Sequence, residues 1–214
     1  MALAGTALGQ GTVRFSFADP AGGRQLTNAA STLTYDSAAV LSFIVDGSDA
    51  GFPSTTFANA GLELRLSVGA AVVNAGVAQA PISGFFRIFN RTNPDSATNT
   101  ILRGDADVGS FLSIGASSSI LFSNPPVGFS LTAGQELLNV LPAGLFLAPL
   151  FDSVFTITDI LTVGFPRPPV IGPTGTVNNF SANTSFSGTA QLVPTPGAVA
   201  LMALGGLVAG RRRR

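Results

Sequence analysis

The run GLELRLSV, residues 61–68, alternates without a break, with Leu62, Leu64, Leu66 and Val68 on one side and Glu63, Arg65 and Ser67 on the other. A strand turns successive side chains to opposite faces, so this pattern makes one apolar and one polar face. A helix would scatter the same residues around its circumference. TVRFSFA, residues 12–18, repeats the pattern with Val13, Phe15 and Phe17, and VFTITDILTV, residues 154–163, sets Phe155, Ile157 and Leu161 against Thr156, Thr158 and Ile160. AVLSFIV, ISGFFRIF, VGSFLSI, SILF, VGFSL and TSFSGTAQLV add short runs rich in Phe, Ile, Val and Thr, the residues that suit a pleated, half-buried surface. Between them lie ADPAGG, DGSDAGFP, NRTNPDS, RGDADVG and SNPPVG, where Gly, Pro, Asp and Asn supply turn chemistry.

About ten short strands with regular punctuation predict an all-β antiparallel β-sandwich over residues 11–192, with most of the 17 phenylalanines in its core. The segment QELLNVLPAGLFLAPLF, residues 135–151, neither alternates nor runs far without proline. It reads either as a short helix over one end of the sandwich or as a buried strand pair. GFPRPPVIGPTG reads as an extended connection.

Composition narrows the function. The chain of 214 residues is only 10% charged and has no cysteine, histidine or lysine. Without cysteine there are no disulfides, thiolate nucleophiles or common zinc-finger patterns, and without histidine the usual general base and the commonest transition-metal ligand are missing. Glycoside hydrolysis needs only paired carboxylates, but nothing in the pattern brings the two glutamates, Glu63 and Glu136, together. No catalytic residue and no cofactor is expected.

Asp105 and Asp107, with Asp46 and Asp49, are the nearest approach to a calcium site. An EF-hand loop starting at Asp105 needs a glutamate at its twelfth position, where Ala116 stands, so turn chemistry accounts for both pairs and no metal is assigned. A single tyrosine, Tyr35, and no tryptophan offer little of the broad aromatic platform that sugars stack on. The acceptor sequons at Asn90, Asn179 and Asn183 read as chance in an Asn/Ser/Thr-rich surface.

Four of the eleven arginines are the last four residues, leaving the body with seven arginines against eleven acidic residues. Along the sequence those seven are scattered singly. No electropositive stripe is evident, and nucleic acid is not an expected partner.

Both ends of the chain read as addresses. MALAGTALGQ, residues 1–10, lacks a charged leader, but Ala7 and Gly9 are small residues at signal-peptidase spacing before Gln10, so the stretch is expected to be a signal-peptide remnant. At the other end, Gly197 to Gly210 is a stretch of fourteen uncharged residues followed by Arg211, Arg212, Arg213 and Arg214. As a helix it would span roughly 21 Å against a hydrocarbon core of about 30 Å, which makes it a poor permanent anchor. The arginines cost about 2.5–3.5 kcal/mol each at mid-membrane, so they stay on the cytoplasmic side and leave the body on the other. Pro194 and Pro196 block a helix from extending backward, which keeps the flank extended, as a protease site requires.

This three-part order resembles the PEP-CTERM sorting signal of exopolysaccharide-producing bacteria with a two-membrane envelope. Val193, Pro194 and Pro196 match its Val-Pro-x-Pro motif. Ala198 to Ala209, with Ala198, Val199, Leu201, Leu204, Leu207 and Val208 as the apolar positions, match its membrane helix, and Arg211 to Arg214 match its basic cluster. Thr195 stands where the family's glutamate lies. The resemblance covers residues 193–214 only. It implies transient anchoring in the inner membrane and processing by an exosortase, a membrane-embedded cysteine protease. Release to the cell surface or matrix would follow, in association with exopolysaccharide. The function expected is therefore that of an exported, non-catalytic surface or matrix protein, the alternative being a glycan-binding or adhesin module.

Overall fold

The computed structural model describes residues 11–19, 23–74, 77–106, 111–114, 120–123, 129–162 and 170–194. The expected signal-peptide remnant, the membrane helix, the arginine cluster and Asp107 lie outside the described residues.

The fold is all-β and antiparallel, with thirteen strands among the described residues where the sequence suggested about ten. They are β1 (Gly11–Ala18), β2 (Leu26–Ala29), β3 (Thr32–Tyr35), β4 (Leu41–Asp46), β5 (Thr55–Val68), β6 (Val72–Asn74), β7 (Val77–Asn90), β8 (Thr100–Ala106), β9 (Phe111–Ile114), β10 (Ile120–Ser123), β11 (Phe129–Ala133), β12 (Leu145–Thr162) and β13 (Phe180–Pro194). One short helix, α1 (Gln135–Val140), precedes β12. The ambiguous segment holds the expected short helix, which buries Leu137, followed not by a strand pair but by the start of one long strand.

The two layers of the expected sandwich are parts of one continuous sheet. Following hydrogen-bonded neighbours from β13 through β1, β4, β5, β7, β9, β10 and β12 leads back to β13. Closure satisfies the backbone groups that open sheet edges would present to other chains. Three long strands make it possible by changing partners along one edge, among them β7, which pairs with β9 over Ala78–Pro81 and with β8 over Gly84–Phe89. β13 pairs with β2 over Phe180–Ala182 and with β1 over Ser185–Leu192, and β5 pairs with β4 and then β3.

Inside the closed sheet, phenylalanines from opposite walls meet. Phe186 of β13 lies 5.8–6.5 Å, centroid to centroid, from Phe17, Phe43, Phe86 and Phe155. The alternation read in β1 and β5 holds in the burial pattern, with Val13, Phe15, Phe17, Leu62, Leu64, Leu66 and Val68 all buried.

The structure corrects two local readings and adds a hairpin that the sequence did not announce. Leu161 does not share the inner face with Phe155 and Ile157: it is 52% exposed, while Thr162 is buried and Ile160 packs against the core. A register shift between Thr158 and Leu161, with Asp159 at φ 53°, inserts an irregularity that inverts the alternation beyond it.

RGDADVG begins as strand rather than turn, because Arg103 to Ala106 form the end of β8 and pair with β7 and β11.

The β2–β3 hairpin carries no turn signal in its sequence because Ala30 and Ser31 occupy the two positive-φ positions (48° and 60°) that such two-residue turns normally give to Asn and Gly.

Phe186→Ala is expected to lower the unfolding free energy by about 3–5 kcal/mol in urea denaturation, and Leu161→Ser to leave it within about 0.5 kcal/mol. Equal losses from the two would mean that the register shift is misplaced. Ser31→Gly relieves the left-handed strain and is expected to stabilise by roughly 1 kcal/mol in the same measurement.

Candidate functional site

Only the start of the expected sorting motif falls on described backbone. Val193 and Pro194 are the last two residues of β13, paired with Phe146 and Leu145 of β12. Proline at the strand's end has no amide to donate to the ladder and ends it without loss. Leu192, the residue before, pairs with Gly11 at the start of β1, so the chain enters and leaves the body at the same end of the sheet. Among the described residues no helix is long and apolar enough to cross a membrane. Thr195, Pro196 and the rest of the tail lie outside those residues.

The acidic residues singled out in the sequence are each held by separate local partners. The Asp46 carboxylate accepts the Ser48 amide at 3.0 Å and the Ser54 hydroxyl at 2.8 Å. These bonds, that from the Ser48 amide first, hold its pKa down at about 2. Asp49 pairs with Arg14 at 2.7 Å, and Asp105 is gripped by Arg103, whose Nε lies 3.1 Å from Oδ1 and 2.9 Å from Oδ2. Among the described residues no three acidic side chains converge on a common point.

Glu63 lies beside Arg65 and Arg87, while Glu136 accepts from the Asn90 and Asn93 amides. The two glutamates thus serve different networks. Tyr35 donates its hydroxyl to Asp19, which also accepts the Thr184 amide; burial pushes both the Asp19 carboxyl and the Tyr35 phenol above their usual values. Of the sequon residues, Asn183 is buried, accepts the Arg24 amide and donates to Asp159.

Two surfaces stand out. The first is a groove of about 660 Å³ across β4, β1, β13 and β12, whose lining includes Arg14, Ser16, Asp46, Ser187 and Thr189.

The second was not legible as a site in the sequence. The outer face of β5, β7 and β8 gathers arginines that are far apart along the chain. The register sets Glu63 opposite Arg87, and Arg87 opposite Arg103. One pair further along the strands, Arg65 lies opposite Phe85, and Phe85 opposite Asp105. Arg103 stacks over the Phe85 ring at 4.3 Å, Arg87 over Phe89 at 4.9 Å, and Arg91 over Phe89 at 5.5 Å. Four of the body's seven arginines therefore meet at one face, correcting the reading of scattered single charges. The signal lay in GLELRLSV and ISGFFRIF themselves, whose outward positions carry Glu63, Arg65, Phe85, Arg87 and Phe89. Only the pairing of β5 with β7 and of β7 with β8 shows that these positions adjoin. Gly84 permits that approach: at φ 122° it lies so close to the Arg65 carbonyl of β5 that a Cβ would stand 2.1 Å from the oxygen.

Comparison with protein-family models, with curated proteins and with solved structures returns no match to this chain.

The Asp46 carboxyl is expected to titrate at about 2 by NMR, and Ser54→Ala to move it toward the ordinary 3.8. Because the folded-state value is depressed, the stability it contributes is fully present above pH 3.8 and is lost as pH falls through 2. A midpoint near 3.8 in the parent protein would show that the Ser48 and Ser54 bonds are not kept in solution.

Proposed function

We propose that this chain is an exported, non-catalytic protein of the cell surface or extracellular matrix, sorted and processed through its C-terminal PEP-CTERM-like signal and associated with exopolysaccharide. The observation that carries the reading is the order of the tail. A Val-Pro-x-Pro motif starts on the last two residues of β13, and an apolar stretch too short for a lasting span and four terminal arginines follow it. In this reading Arg211 to Arg214 remain at the cytoplasmic surface, the apolar positions from Ala198 to Val208 hold the chain in the inner membrane, and an exosortase cuts near Val193 to Pro196.

The end of β13 suits such a handover. Val193 and Pro194 are already extended and are paired to β12 alone among the described residues, so releasing them breaks few ladder bonds and leaves the Phe186 core untouched. The closed, low-charge body has the character of a durable scaffold.

In a bacterial host that carries an exosortase, mass spectrometry of the exported protein is expected to find a C-terminus upstream of Arg211. Deletion of the exosortase gene is expected to leave the intact chain in the membrane fraction. Exported material still ending in Arg214 would overturn the sorting reading.

A further inference from the structure

We propose that the outer face of β5, β7 and β8 is a docking surface for an acidic polysaccharide, one that carries uronate carboxylates along an extended chain. The choice of a polysaccharide among polyanions rests on the export reading above, which sets the body outside the cell. The choice of a carboxylate rests on the face itself.

Arg87 and Arg103 stand directly opposite each other on neighbouring strands. Like charges so placed oppose strand pairing, and the repulsion is relieved by anions. The protein supplies two, Glu63 and Asp105, against Arg65, Arg87, Arg91 and Arg103, so the face keeps a positive excess on a body whose other charges are mostly acidic.

Asp105 demonstrates the binding mode. Arg103 holds both its oxygens through the guanidinium fork, Nε on Oδ2 and Nη2 on Oδ1, the geometry that matches planar carboxylates. Arg87 sits deeper: its Nε is buried 3.2 Å from Glu63 Oε2 and its side chain is only 22% exposed, so it adds to the positive field of the face while more exposed guanidiniums make the contact. Arg65 and Arg103 remain 71% and 40% exposed, so incoming carboxylates can reach them.

The same geometry disfavours nucleic acid. Phe85 and Phe89 are each covered by a guanidinium, so they offer bases no free ring to stack on.

The test is binding of the purified full chain, held in detergent, to immobilised polygalacturonate and to neutral dextran of similar length, read by biolayer interferometry. The expected result is saturable binding to polygalacturonate alone, weakening as salt is raised. Arg87→Gln with Arg103→Gln is expected to weaken binding at least about tenfold, the scale of one lost charge-assisted hydrogen bond. Arg103→Lys, which keeps the charge but not the fork, is expected to show a loss of the same order. It also stands in if the double variant fails to fold, as judged by circular dichroism.

Replacing Arg211 to Arg214 by glutamine controls for the tail and should leave binding intact. The proposal is overturned by folded protein that ignores polygalacturonate, by equal binding to dextran, by unchanged affinity in Arg103→Lys or by loss of binding on removing the tail arginines. Tighter binding to single-stranded DNA than to polygalacturonate would overturn it as well. Because the assay uses purified protein, its outcome is independent of whether the chain is exported and cut, which fractionation and mass spectrometry read separately.

Discussion

β13 is the seam on which the structure depends. It lies against β12 over Phe180–Pro194 on one edge and against β2 and then β1 on the other, so it joins the first strand of the body to the last. Its side chains do the complementary work: Phe180, Ala182, Phe186, Ala190 and Leu192 are all buried. Backbone closure and core formation thus rest on the same residues. The pairs of β13 with β1 and β2 join positions more than a hundred residues apart, so the entropy of closing a long loop must be met before they are rewarded, a topology expected to fold slowly.

The strands whose sequences alternate cleanly were legible because one face of each is buried and the other is not. In β5, burial follows the Leu-x-Leu pattern from Leu62 to Val68 residue by residue. What was hidden depends on contacts the sequence cannot display. The irregularity at Asp159 is held from outside its own strand, by Arg24 Nε on its carbonyl and Asn183 Nδ2 on its carboxylate, so the local run VFTITDILTV gives no sign that Leu161 changes face. The hairpin turn at Ala30 and Ser31 is likewise supported from β13, whose neighbour Asn179 accepts the Ala30 amide. In both places tertiary bonds replace the turn residues that a sequence reading looks for.

The sites divide the same way. The proposal for the tail rests on contiguous residues, because a bilayer would act on such a segment as a unit. The arginine face could not be read from sequence, because its members come from three strands and adjoin only through the register of β5 with β7 and of β7 with β8. The carboxylates show the converse. Asp46 and Asp49 are close in sequence, yet the fold gives Asp46 to Ser48 and Ser54 and Asp49 to Arg14. Proximity along the chain was a poor guide to shared chemistry in either direction.

The arginine face also contributes little to holding the fold together. Exposed ion pairs such as Arg65 with Glu63 are worth about 0–1 kcal/mol, and a cation over an exposed ring about 0.5–1 kcal/mol. The closed sheet beneath it is secured instead by Leu62, Leu64, Leu66, Phe86 and Ile88, which point the other way from the same strands. Two strands therefore carry two separable functions on their opposite faces, cohesion within and electrostatics without. The outer residues can change without loosening the core, and the proposed binding there would need no rearrangement of the sheet. That separation follows from the period of two read in GLELRLSV, the pattern that first identified the chain as a β-protein.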